Sequence, residues 1–144
     1  MRRLRRTKAL RELVRETVMR YVHLVDAGRI DELLELFAED ATLEAGERPP
    51  ARGGAAIRAL FLDTQTRLAA ATTRPLIRHH VSSLEVDVLG PASATARSYF
   101  LAITERGPDH WGRYRDRLVH VDGRWLFQHR RVRTDGSAAA SAFR

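Results

Sequence analysis

The chain has 144 residues, 44% of them hydrophobic and 30% charged, which fits one folded domain with a sizeable core. It contains no cysteine, so disulfides, thiol nucleophiles and cysteine-bound zinc are excluded. The net charge of +7 suggests a polyanion partner, but residues 1–8 hold five of the positive charges and no negative one, leaving +2 for the rest. The excess therefore reads as a flexible basic leader, with nucleic acid as an unfavoured partner. No apolar run reaches the roughly 18 residues of a membrane span. No apolar segment with a cleavage site follows the basic start, so a cytoplasmic location is the expectation.

In chain order, Leu10, Leu13, Val14, Val18, Tyr21, Val22 and Val25 recur at spacings of three and four, predicting one helix with a single buried stripe. Gly28 is placed to end it. Leu33, Leu34, Leu36 and Phe37 predict a second, short helix over residues 31–37, and residues 40–44 a short strand. Pro and Gly make residues 46–54 a loop. Helical spacing returns over residues 55–71.

After Pro75 the pattern becomes extended, with predicted strands at residues 76–89, 93–104, 111–121 and 124–133. Asp122-Gly123 is a hairpin turn between the last two. In the first long strand Ile77, His79 and Val81 share one parity, whereas Leu84, Val86 and Val88 share the other. A switch of buried parity predicts a β-bulge near residues 81–83. Three helices followed by long antiparallel strands give an α+β domain over residues 9–135, in which a curved sheet wraps the helices around a cavity, with a flexible tail at 136–144.

The chemistry-bearing residues are few. Asp26 lies near a helix C-terminus, where the dipole disfavours a carboxylate and a compensating partner is expected. His79 and His80 point to opposite faces of one strand, so only one can face the interior. An acid near a helix end plus a strand histidine forms a plausible general acid/base pair. Tyr114, Asp116, Leu118 and His120 share a face opposite Arg113, Arg115 and Arg117, so Asp116 is expected inward. It would then be either a protonated donor or the partner of His120. Trp125, Phe127 and His129 share a parity on the last strand, as cavity wall or core. No metal site is expected, because no two histidines stand at helical i, i+4 spacing with an acid. No glycine-rich phosphate loop and no nucleophilic serine elbow occur.

The segments YVHLVDAGRIDELLELFAEDATLE, ARGGAAIRALF, RHHVSSLEVDV, ATARSYFLAI and GRYRDRLVHVDGRWLF together resemble the SnoaL-like branch of the NTF2-like superfamily, beside ketosteroid isomerases, scytalone dehydratases and dehydrochlorinases. The resemblance implies a cone-shaped fold. It also implies a cofactor-free enzyme that moves a proton at carbon, by dehydration, isomerisation or polyketide-type cyclisation, on a small apolar carbonyl or hydroxyl compound. It assigns His79 as the base and Asp26 as its partner. Tyr21 falls where the isomerases carry an oxyanion donor, and Asp116 near their protonated acid. Tyr114, Asp116, Trp125, Phe127 and His129 become the candidate substrate contacts. Ala45 stands where the isomerases have their aspartate base, which argues against plain isomerase chemistry, and Ser83 stands where many relatives have asparagine. A homodimer or homotrimer is implied as well. The alternative implied by the same fold is a non-catalytic binding module or structural small subunit.

Overall fold

The computed structural model describes residues 1–70 and 76–141. The elements run α1 (Arg2–Ala27), α2 (Ile30–Leu34), β1 (Phe37–Ala45), β2 (Ala51–Arg52), α3 (Gly53–Ala69), β3 (Arg78–Val88), β4 (Ser93–Thr104), β5 (Gly107–Val121) and β6 (Arg124–Ser137). The strands form one curved sheet in the order β2-β1-β6-β5-β4-β3, antiparallel throughout except where β1 runs parallel to β6. Three helices packed on this open sheet make the expected α+β cone.

α1 buries Val14, Thr17, Val18, Tyr21, Val22 and Leu24. It begins at Arg2, so the basic segment expected as a leader continues the helix as an exposed end. Gly28 adopts a left-handed conformation (φ 67°), and the Gly28 and Arg29 amides close on the Val25 and Leu24 carbonyls. This glycine cap stops α1 at Ala27 and leaves Asp26 at its C-terminal pole. α2 is shorter than predicted, because the chain turns into β1 already at Phe37, and β2 lies inside the segment predicted as a loop. α3 ends within the predicted span, whose last residue, Ala71, lies outside the described residues.

The predicted bulge in β3 is present. Ser83 takes φ 52° and the pairing with β4 shifts between Ser82 and Glu85, so His79, Val81, Leu84, Val86 and Val88 all turn toward α1 while His80 is exposed. Arg11 and Arg15 of α1 donate to the Val86 and Leu84 carbonyls, and the Thr17 hydroxyl donates to that of Trp125. These contacts fix the helix across the sheet. Asp122 and Gly123 both have positive φ (49° and 77°), as a tight two-residue hairpin requires. β6 runs to Ser137, past its predicted end, and the last three residues of the predicted tail lie outside the described residues.

At Gly112 in β5 a Cβ would stand 2.0 Å from the Arg133 carbonyl oxygen and 2.9 Å from the Phe100 ring, so β6 approaches too closely for any side chain. Gly112→Ala is expected to destabilise the fold by roughly 3 kcal/mol, the upper range for overpacking. Gly54→Ala, in α3 where nothing lies within 4 Å, should be neutral or stabilising. Urea unfolding of both variants checks this; equal stabilities would contradict it.

Candidate active site

The glycine cap and the bulge together bring one carboxylate onto one imidazole. Asp26, at the end of α1, accepts two hydrogen bonds from His79, the first inward residue of β3. The His79 ring Nδ1 lies 2.6 Å from Oδ1, and the His79 backbone N–H donates to Oδ2 at 2.9 Å. Both side chains are 11% exposed. The two N–H donors supply the compensation that a carboxylate at a helix C-terminus needs. With Nδ1–H committed to Asp26, Nε2 is the nitrogen left for a ligand.

Asp26 and His79 lie on the wall of a cavity of about 280 Å³, between the end of α1, α2, α3 and the start of β3. Leu24, Val25, Ile30, Leu33, Phe61, Leu68, Leu76 and Ile77 make most of its lining apolar. Besides the Asp26–His79 pair, the lining offers Thr64 and Gln65 as polar side chains. Thr64 donates back to the Leu60 carbonyl and Gln65 spends one amide N–H on Gly28. Among the described residues, the second Gln65 amide proton and its carbonyl oxygen remain to orient a ligand. An apolar chamber with a few placed polar groups is the usual form of a small-molecule site.

The other expected site residues lie elsewhere. Tyr21 and Tyr114 are buried, 5% and 3% exposed, in the depth of the cone and are not part of the cavity lining. Tyr21 meets the rings of Phe37, Phe61, Tyr114 and Phe127 edge-on. Burial pushes both phenols above their ordinary range, so they stay protonated. Trp125 and Phe127 are core side chains.

Asp116 is buried as predicted, but it pairs with Arg130 and not with His120. Arg130, directly opposite on β6, donates from Nε and Nη2 to the two carboxylate oxygens at 2.9 and 3.1 Å, and both side chains are fully buried. His120 instead stacks on Trp125. A shift in the β5–β6 pairing between Arg117 and Leu118 reverses the parity of β6 after Phe127. That shift turns Arg130 inward and His129 outward, where His129 lies 3.5 Å from Glu44, so His129 is not a cavity residue. The Arg130 guanidinium is walled by the rings of Tyr114 (3.9 Å), Tyr21 (4.0 Å) and Phe127 (4.4 Å). Burial pushes the Asp116 carboxyl upward while Arg130 pulls it back, and Asp116 in turn holds the proton on Arg130.

A second carboxylate–imidazole pair went unread in the sequence. β5 starts at Gly107, earlier than predicted, and sets His110 Nδ1 2.7 Å from Asp109 Oδ2, which also accepts from the Ser141 hydroxyl. His110 shares the parity of Tyr114, Asp116 and Leu118, the signal that could have found it. Its ring lies 5.8 Å from that of His79, with Phe100 against both. Burial lowers the His110 pKa from 6.5, against the pull of Asp109, and a charge on His79 lowers it further. A folded value below the unfolded one means that His110 opposes folding once acidification passes the unfolded value. NMR titration should place its midpoint below 6.5; a midpoint above that would contradict the burial. Among the described residues no group of three or more His, Asp or Glu side chains could hold a metal ion, and no helix is long and apolar enough to cross a membrane.

The SnoaL-like domain model matches residues 6–131, nearly the whole fold just described. The chain belongs to the SnoaL-like family. Among solved structures, this SnoaL-like chain is similar to a candidate scytalone dehydratase of Novosphingobium aromaticivorans (27% identity, 90% of this chain and 87% of that one, TM-score 0.77). It is also similar to an NTF2-like protein with a cystatin-like fold from the same organism (30% identity, 96% and 88%, TM-score 0.76). A third is a protein of Catenulispora acidiphila in complex with S-DNPA (27% identity, 89% and 95%, TM-score 0.76). No curated protein matches the sequence.

Proposed function

We propose that this SnoaL-like protein is a cofactor-free enzyme that transfers a proton at carbon within a small apolar carbonyl- or hydroxyl-bearing molecule. The observation that carries the reading is the 2.6 Å Asp26–His79 contact on the wall of a largely apolar cavity. His79 acts as the base through Nε2. Asp26 is the positioning residue, fixing the tautomer and favouring the imidazolium that forms when the proton is taken. The apolar lining binds the carbon skeleton and keeps water from competing for the base. Proton return from the imidazolium to a departing hydroxyl gives dehydration; return to another carbon gives isomerisation; attack of the carbanion on a second carbonyl gives cyclisation. The likeness to a candidate scytalone dehydratase and to a ligand-bound relative supports a small organic ligand and favours dehydration among the three.

A non-catalytic ligand carrier is the second reading. It is favoured by the way Arg130, Tyr21, Tyr114 and Phe127 fill the depth of the cone. A panel of cyclic ketones and β-hydroxy ketones sized for the cavity separates the two. Incubated with the protein in heavy water and followed by NMR, an enzyme exchanges the α-protons or eliminates water. Binding without exchange or elimination supports the carrier. Cytoplasmic location and a homodimer or homotrimer form part of the same proposal, the second testable by sedimentation.

A further inference from the structure

The outer face of the sheet carries a charge arrangement that the cavity chemistry leaves unused. Across β5 and β6, Arg113 stands directly opposite Arg133, and Arg115 directly opposite Arg131. On the next strand, Arg97 stands opposite Arg115. Like charges directly opposite each other destabilise a sheet unless something neutralises them. The acids on this face fall short of that task. Arg97 is held by Glu85 at 2.6 Å, away from the others. Asp135 serves both Arg113 (2.9 Å) and Arg133 (3.9 Å), and Glu44 serves Arg131 (3.4 Å) together with His129. Arg115 has no carboxylate within 4 Å among the described residues. The Arg113 Nε is buried without a hydrogen-bond partner among the same residues. Four guanidiniums and two carboxylates thus leave two positive charges around a cleft of about 160 Å³ lined by Arg113, Arg115, Arg131 and Arg133.

We propose that this four-arginine cleft binds a tetrahedral oxyanion of the phosphate class, either free or as the monoester end of a small molecule. Guanidinium groups present planar pairs of N–H donors that match phosphate oxygens, and charge-assisted bonds of this kind are the strong ones. The cleft has room for one such anion with a few waters, since each water occupies about 30 Å³ in the liquid. Carried on β5 and β6, the arginines are held in register by the backbone ladder rather than by flexible loops. The exposed rings of Tyr99 and Trp111 border this face and suit an aromatic ester. The site lies on the opposite face of the sheet from the Asp26–His79 cavity and is independent of the proposed reaction.

Isothermal titration of the full chain with inorganic phosphate, at low and constant ionic strength set by chloride, tests it. Saturable one-site binding is expected. Arg115→Gln with Arg131→Gln should weaken it at least about tenfold, the equivalent of one charge-assisted hydrogen bond. Arg97→Gln, outside the cleft, should change it little. Phenyl phosphate binding more tightly than phosphate would assign the site to an ester-borne group; equal affinities would assign it to the free anion. No saturable binding, or binding undiminished in the double variant, would overturn the proposal.

Discussion

Arg130→Met is expected to lower the free energy of unfolding by about 3–5 kcal/mol, the usual cost of removing one partner from a buried ion pair. Asp116 would keep its place in β5 with its side chain fully buried and its two strongest hydrogen bonds gone. The rings of Tyr21, Tyr114 and Phe127 would lose the cation they enclose, a contact of about 2 kcal/mol when desolvated. Against a domain stability of about 5–15 kcal/mol, the variant should still fold, with its melting temperature lowered on the order of 10 °C. The double variant Arg130→Met, Asp116→Leu should recover most of that loss, because a buried ion pair is often no more stable than an apolar replacement. Urea unfolding of both variants reads the outcome. A single variant within about 1 kcal/mol of the parent would mean that Arg130 is solvated after all, since surface pairs contribute no more than that.

His79→Ala and Asp26→Asn are expected to reduce turnover of a true substrate by about 10²–10⁴-fold, the typical contribution of a positioned general acid or base. The two losses should differ in kind. His79→Ala removes the base itself, so kcat falls at every pH. Asp26→Asn leaves the base in place but no longer fixes its tautomer, so kcat falls because fewer molecules hold the imidazole with Nε2 free to take the proton. Neither change should unfold the protein. Each leaves a half-satisfied group at a site 11% exposed, a loss of about 1–3 kcal/mol. Circular dichroism separates folding from chemistry. Unchanged turnover in both variants would remove the dyad from the mechanism.

Much of this arrangement was legible in the chain because it depends on local signals. The parity switch in β3 announced the Ser83 bulge, Gly28 announced the end of α1, and Asp122-Gly123 announced the last hairpin. α1 stops at Gly28 and β3 enters at Arg78, but the strand pattern leaves open which of His79 and His80 faces inward, and the assignment of His79 to Asp26 rests on the family resemblance. Arg130 was illegible for the opposite reason. The slip that turns it inward lies between Arg117 and Leu118 in the pairing of β5 with β6, and no glycine or proline stands between Phe127 and Arg130 to mark it. Simple alternation from Trp125 therefore turned His129 inward and Arg130 outward. Alternation alone therefore hides Arg130 as the partner of Asp116. Asp109 and His110 escaped because the predicted strand begins at Trp111, whereas β5 begins at Gly107 and carries the parity of Tyr114, Asp116 and Leu118 back to His110.

A crystal structure with a cyclic ketone or phenol soaked into the cavity is the most direct measurement. The proton-transfer account predicts the ligand ring among Leu33, Phe61 and Leu68, with its oxygen or α-carbon facing His79 Nε2 and the Asp26–Nδ1 contact intact. A ligand seated with its polar end away from His79, or an Asp26–His79 pair that parts on binding, would contradict it.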